Sequence, residues 1–242
     1  MKNTILVFLM AIALLSFTLS SCSLVKGNAR YEFNDGIYRT KRLNGNEVYV
    51  LHIDDDTIAV FPVLEFPDST AILVNQRVNY ATLQKKFKDN KVSHTFYKPS
   101  VDVDAMTIPL KYRPATDGFP NQMTTNFNGA LYCGYRIDEY RISYRRTPLN
   151  LYKESEKHKG YSIGLYAGVG STLIDGTQIN NPNSPIQYDG ALLITGIAAN
   201  IAVEKLTFGI SFGVDHLMDK YHADWLYEGK PCVGFTLGLN IN

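Results

Sequence analysis

From residue 103 onward, apolar side chains alternate with small or polar ones, and turn residues break the alternation at intervals. A period of two places successive side chains on opposite faces of a β-strand. Residues 103–113 set Met106, Ile108, Leu110 and Tyr112 against Thr107, Pro109, Lys111 and Arg113. Residues 123–136 set Phe127, Leu131, Cys133 and Tyr135 against Asn128, Ala130, Tyr132 and Gly134, and a tight turn is predicted at Ile137-Asp138-Glu139. A short strand over 140–146 follows, whose Arg141 and Arg145 belong inside or above a wet lumen. Residues 160–174, 188–203, 206–215 and 231–242 repeat the pattern, with Glu204-Lys205 as a turn between two of them. Seven strands are therefore predicted, and residues 92–103 have room for an eighth.

The last strand shows the pattern at its barest. Val233, Phe235, Leu237, Leu239 and Ile241 share one parity, while Gly234, Thr236, Gly238 and Asn240 share the other, with no charge on either. A soluble sheet sets large apolar residues against charged ones because its outer face meets water. Here the second face is almost empty of side chain. Strands of about ten residues, alternating in polarity and joined by short turns and longer loops, are the signature of a transmembrane β-barrel. Unpaired edges are intolerable in lipid, so such a sheet must close.

The expected fold is all-β: a closed antiparallel up-and-down barrel of about eight strands over residues 92–242. Leu165, Phe208, Ile210, Phe212, Phe235, Leu237 and Leu239 would face lipid, and the glycines of the other parity would fit a narrow lumen. Tyr112, Tyr135, Tyr140, Tyr144, Tyr161 and Tyr188 lie near strand ends, where an aromatic girdle sits. The predicted loops 147–159 and 175–189 offer contact surfaces. Period two alone does not say which face is wet, so a soluble barrel with the greasy face inside fits the alternation too. Its outer surface of Gly, Ser, Thr and Ala would be poorly soluble.

Residues 22–91 read differently. Strands at 36–42 and 47–53 flank an Asn-Gly hairpin signal, a third spans 57–63, and Leu83 with Phe87 marks one short helix over 80–88. This predicts a small β-meander segment ahead of the barrel. Residues 1–21 have one basic residue, Lys2, then an apolar run of about 15 residues and a small-residue end, as secretory signal peptides do. That run falls short of the ~20 residues that span a bilayer.

Leu19-Ser20-Ser21-Cys22 resembles the bacterial lipobox. The resemblance implies cleavage before Cys22, a diacylglycerol on its thiol and an acyl group of the palmitate kind on its new amino group. More than one acyl chain makes anchoring stable. The other cysteines, Cys133 and Cys232, fall on opposite parities, so no bridge between them is expected.

Composition narrows the classes further. Lys and Arg number 24 against 23 Asp and Glu, a net charge of +1, so no global field favours nucleic acid. The five histidines do not form a ligand set: His216 and His222, near Asp215, Asp219 and Asp224, have a spacing that suits no metal site and read as a polar loop. Asp54-Asp55-Asp56 lacks the glycine and distal glutamate of a calcium loop. Asp102 and Asp104 share a face, yet nothing locates a cleft for acid–base work. No nucleophile elbow, phosphate loop or Cys-x-x-Cys occurs. The chain is expected to be non-enzymatic, with no catalytic residues, metal or cofactor.

The lipobox, Ile108-Pro109-Leu110-Lys111-Tyr112-Arg113-Pro114, Asn126-Phe127-Asn128-Gly129 and the ending from Gly229-Lys230-Pro231 to Asn242 together resemble uncharacterised outer-membrane lipoproteins and small outer-membrane β-barrels of Bacteroides-type bacteria (Bacteroidota). That resemblance implies a location in the outer membrane, anchored through Cys22, with outer-membrane lipid as partner. Ser23-Leu24-Val25-Lys26-Gly27 lacks the acidic residues that follow the cysteine in surface-exported lipoproteins, which implies a periplasm-facing N terminus. The roles expected are envelope structure, surface interaction with an envelope protein, or limited passage of small solutes. The alternative is a periplasmic lipoprotein whose soluble barrel binds a hydrophobic ligand or lipid.

Overall fold

A computed structural model describes residues 32–40, 47–54, 57–66, 69–73, 78–79, 93–116, 118–146, 148–149, 152–179 and 187–239. The signal and lipobox segment, the predicted helix over 80–88, Asp55-Asp56 and residues 240–242 lie outside them. So do the Asn-Gly hairpin turn and the Asn-Pro loop near 181–185.

The described chain is all-β and antiparallel. Twelve strands run β1 (Gly36–Thr40), β2 (Glu47–Asp54), β3 (Thr57–Phe66), β4 (Ser69–Ile72), β5 (Val78–Asn79), β6 (Ser93–Arg113), β7 (Gln122–Thr124), β8 (Asn128–Arg146), β9 (Tyr152–Ile174), β10 (Tyr188–Val203), β11 (Leu206–Leu217) and β12 (Pro231–Leu239). A single 3₁₀ turn, His222–Asp224, is the only helix among the described residues. β6, β8, β9, β10, β11 and β12 pair each with the next, and β12 pairs back onto β6. The ring thus has six strands, not eight.

Two features account for the difference. The predicted eighth strand before Val103 is the first half of β6, which runs unbroken for 21 residues. The predicted turn at Ile137-Asp138-Glu139 is regular strand inside β8, paired to Pro99, Lys98 and Tyr97 of β6 and to Tyr161, Gly160 and Lys159 of β9. Two paired neighbours override the local turn signal of Asp138. For the same reason the predicted loop 147–159 is mostly β9, which begins at Tyr152.

β6 also carries a register change. Its ladder with β12 shifts between Phe235 and Leu237, where Leu110 and Thr107 are the partners, so β6 holds one extra residue around Pro109. Proline cannot donate to a ladder and is confined in sheets to edges and bulges. A bulge flips parity. Met106 and Ile108 therefore point inward with Lys111 and Arg113, whereas the sequence pattern put these pairs on opposite faces.

A six-stranded ring is narrower than the eight-stranded kind, whose interior side chains already just fill. Inward positions answer this with glycine. Gly134 opposes Gly164, Ala130 opposes Gly168 and Gly196 opposes Gly213. A Cβ on Gly164 would collide with the Cys133 carbonyl oxygen, and one on Gly196 with that of Phe212. These strands approach as backbone on backbone, which permits the sharp curvature.

Below the ring, β6, β8 and β9 continue and meet β1–β3. β1 pairs with β6 at Tyr97 and Phe96, on the edge that β12 occupies farther up, at Met106 to Tyr112. A second core forms there from Phe33, Tyr38, Val48, Val50, Ile58, Val60, Phe96, Tyr140 and Ile142. Phe33 is central, its ring 4.8 Å from Tyr38, 5.0 Å from Phe96 and 5.5 Å from Tyr140. Glu156 of β9 accepts from the Phe33 backbone N–H at 2.6 Å, tying the entry of this module to the long strands.

Two outcomes follow. Gly164→Ala should lower stability by about 1–3 kcal/mol through overpacking. Gly238→Ala, whose Cβ meets only ordinary contacts, should change it by less than about 0.5 kcal/mol, both read from denaturant midpoints. Burial, assisted by the carboxylates of Glu156, Asp35 and Asp138, pushes the Tyr38 phenol up to about 12. Its unfolded counterpart titrates near 10, so the stability it lends is full below that pH and is lost as pH rises towards about 12. Tyr38→Phe should flatten that dependence in alkaline titrations followed by tyrosinate absorbance.

Candidate functional site

The side chains of the ring sort into an outward and an inward set of opposite character. Outward positions are Leu131, Cys133, Tyr135 and Ile137 on β8 and Tyr161, Ile163, Leu165, Ala167, Val169, Ser171 and Leu173 on β9. β10 adds alternate residues from Ala191 to Val203, β11 those from Leu206 to Val214, and β12 Val233, Phe235 and Leu237. None of these is charged, and the outward residues of β6 from Val101 to Tyr112 are uncharged as well. Leu165, Phe208, Ile210, Phe212, Phe235 and Leu237 project outward with exposures between 38% and 67%. Leu239 ends β12; its side chain is outside the described set. Charges resume at both margins: Lys157, Lys159, Glu139 and Glu204-Lys205 below, and Asp175, Asp189 and His216 above.

Inside, the ring is ionic. Near its upper end Asp215 of β11 takes Lys111 Nζ at 2.7 Å on one oxygen and Arg113 Nη2 at 2.6 Å on the other. Arg113 also donates from Nη1 to Thr172 Oγ1 at 3.1 Å, and its guanidinium lies 5.3 Å from the Trp225 ring and 5.5 Å from that of Tyr227. Near the lower end Arg136 donates from Nε to Asp138 at 2.8 Å and from Nη1 to Asp102 at 3.3 Å. His158 Nε2 lies 2.7 Å from Asp138 Oδ1, and the imidazole stacks on Tyr140 at 4.9 Å. Lys111, Arg113, Asp102, Arg136, Asp138, His158 and Asp215 are all buried. Between the two groups lie Met106, Ile108, Tyr132, Tyr166 and the Thr236–Asn200 hydrogen bond of 2.8 Å.

Loop lengths are unequal at the two ends. Above, the connections 114–127, 175–187 and 218–230 are long, whereas below, β10 and β11 are joined by Glu204-Lys205 alone and β8 and β9 by residues 147–151. The long connections interlock: Ile179 bridges Trp225, Leu226 N–H donates to the Gln178 carbonyl at 3.0 Å, and Tyr227 OH donates to the Pro120 carbonyl at 3.3 Å.

Other residues singled out from the sequence fall apart or together as follows. Asp102 and Asp104 do share the inward face, where Asp102 is held by Arg136. His216 meets Glu228 and His222 meets the Asp219 carbonyl, so the two do not converge, and among the described residues no cluster suited to a metal is present. Cys133 faces outward and Cys232 inward, both as free thiols. Tyr112, Tyr135 and Tyr161 are outward and exposed, whereas Tyr140 is buried in the lower core and Tyr188 bonds Asp219. Arg141 points outward below the ring, paired with Glu139 at 3.0 Å. The ion group around Arg136 is hidden in the sequence because Ile137-Asp138-Glu139 reads as a turn, whereas Asp138 is strand and meets Arg136 and His158. Its signal was that Arg136, Asp138 and His158 all fall on the parity opposite to the apolar outward set.

Searches for relatives return nothing: no family model, curated protein or solved structure matches the chain.

Such buried ions hold one another. Removing one partner strands the rest, which costs about 3–5 kcal/mol. Asp215→Ala should therefore lower the denaturant midpoint severely, while the joint change Lys111→Met, Arg113→Leu and Asp215→Leu should restore most of the loss, since apolar fillings of similar volume are often neutral.

Proposed function

We propose that this chain is a non-enzymatic outer-membrane lipoprotein of the Bacteroides type, whose six-stranded ring is a small transmembrane β-barrel plugged by its own side chains. The observation that carries the reading is the inverted polarity: charges inside, and a charge-free apolar band outside. A soluble barrel that holds a hydrophobic ligand needs the reverse arrangement. Exposed apolar patches of this extent mark contact with a partner or a membrane.

The dimensions agree. On β9 the outward band runs from Tyr161 to Leu173, which at ~3.3 Å per residue and a tilt near 45° makes a height of about 28 Å, close to the ~25 Å band of outer-membrane barrels. Pairing of β12 with β6 from Met106 to Tyr112 closes the ring there, as lipid, which forbids a free edge, would require. Such barrels have short turns on the periplasmic side and long loops outside, so the lower end, which carries β1–β3, would face the periplasm. A lipid on Cys22 would anchor the same side, in agreement with the lipobox. With six strands the ring is narrower than the eight-stranded barrels at the small end of the membrane range, and ion pairs fill it. Anchorage of the lower module and display of the interlocked upper loops therefore suit it better than solute passage.

The deciding experiment is a charge placed in mid-band. Leu165→Arg sits on an exposed, outward position. In lipid it should cost about 2–4 kcal/mol and reduce assembly; in water it should be near neutral. Loss of the heat-modifiable, compact gel species of the variant, with a detergent requirement for the parent chain, is the expected result. A parent chain that stays monomeric in detergent-free buffer, with Leu165→Arg fully folded, would refute the membrane reading.

A further inference from the structure

At the lower margin of the outward band, β8, β9 and β10 end their apolar run on one rung, where Ile137 and Ile201 both pair with Tyr161. The next outward rung is Glu139, Lys159 and Val203, and the one after it Arg141 and Lys157. Glu204-Lys205 then turns the chain beside Val203. Lys157, Lys159, Arg141 and Lys205 are all exposed. Among the described side chains of this patch, four cations thus stand against two carboxylates, Glu139 and Glu204. Glu139 is engaged by Arg141 Nη2 at 3.0 Å, and among the described residues neither Lys157 nor Lys159 has an ion-pair partner. The opposite margin carries Asp175, Asp189 and His216 instead. Exposed charges contribute little to holding a fold, so the consequence of this one-sided surplus lies in what it attracts.

We propose that this patch binds the phosphodiester headgroup of an anionic phospholipid, with Lys159 and Lys157 as its two chief contacts. The inference rests on the membrane reading above and names the lipid that the lower margin selects. Height favours a headgroup over any other acidic partner. At ~3.3 Å per residue and a tilt near 45°, Lys159 lies about 5 Å below Tyr161 and Lys157 about 9 Å below it. The polar layer on each side of the hydrocarbon is about 5–8 Å thick, so Lys159 falls within it and the flexible stem of Lys157 reaches it. Tyr161, outward and exposed above Lys159, supplies the amphipathic ring that sits at this boundary. A zwitterionic headgroup brings no net charge to a patch with surplus cations, whereas an anionic one does. Each basic residue this close to an anionic surface strengthens attraction by about fivefold.

Native mass spectrometry of the full chain in mild detergent, titrated with dioleoyl phosphatidylglycerol and separately with dioleoyl phosphatidylcholine, tests this. The parent should prefer phosphatidylglycerol, and the preference should shrink as ammonium acetate is raised, because exposed charges are screened. Lys157→Gln combined with Lys159→Gln should reduce it roughly 20- to 30-fold, two steps of about fivefold, with the heat-modifiable gel species unchanged. Lys159→Arg should retain it. Lys220→Gln combined with Lys230→Gln removes the same charge from the exposed upper connection and should match the parent. An equal loss there would reduce the effect to net charge and overturn the proposal. Equal retention of both lipids by the parent would overturn it, as would an unaltered preference in the Lys157→Gln and Lys159→Gln chain. Displacement of phosphatidylglycerol by inorganic phosphate beyond that by acetate of equal ionic strength would make the patch a free-anion site and overturn it too. The membrane reading is judged separately by the detergent requirement. A parent that needs detergent but shows no preference defeats only the headgroup assignment, whereas a detergent-free soluble parent with the lysine-dependent preference defeats the membrane reading and leaves the assignment standing.

Discussion

Closure of β12 onto β6 after only six strands is the constraint from which the other features of the ring follow. It pairs the two terminal ring strands from Met106 to Tyr112, and it leaves an interior too tight for bulky residues on every strand. Inward glycines at Gly134, Gly164, Gly196 and Gly213 let opposed backbones approach. The extra residue at Pro109 turns Lys111 and Arg113 into the interior at the one place where Asp215 can receive both. Without that bulge two cations would stand in the outer apolar band.

The same closure explains why charge is tolerated inside. At such burial isolated ions would be very unfavourable. Asp102, Asp138 and Asp215 each have at least one cation or imidazole partner, with Arg136 spanning Asp102 and Asp138. Buried pairs of this kind seldom add net stability over apolar packing. Their effect is better described as selective: only one register of six strands satisfies all of them, and a slip by one residue would turn the whole set outward.

Much of this was legible in the sequence, because period-two alternation is an immediate consequence of strand geometry. The outward set Leu165, Phe208, Ile210, Phe212, Phe235 and Leu237 is where the alternation put it. The opposite placements of Cys133 and Cys232 also followed from parity. What failed were the points at which long-range pairing outweighs local preference. Asp138 reads as a turn residue, yet two neighbouring strands hold it extended and give it to Arg136 and His158. Residues 93–102 carry charged and polar residues that look like a boundary, and only the pairing of β8 along them shows that they continue β6. Pro109 hid in plain view: it signals a bulge, but not which neighbours change face.

The uninterrupted length of β6, β8 and β9 has a mechanical consequence. These strands pass from the ring into the lower module without a loop, and their residue-for-residue pairing continues between the levels of Asp102 and Phe96, through Pro99 and Gly160 as well. The β1–β3 module is the foot of this three-stranded mast, so torque applied to β1–β3 is delivered to the ring itself.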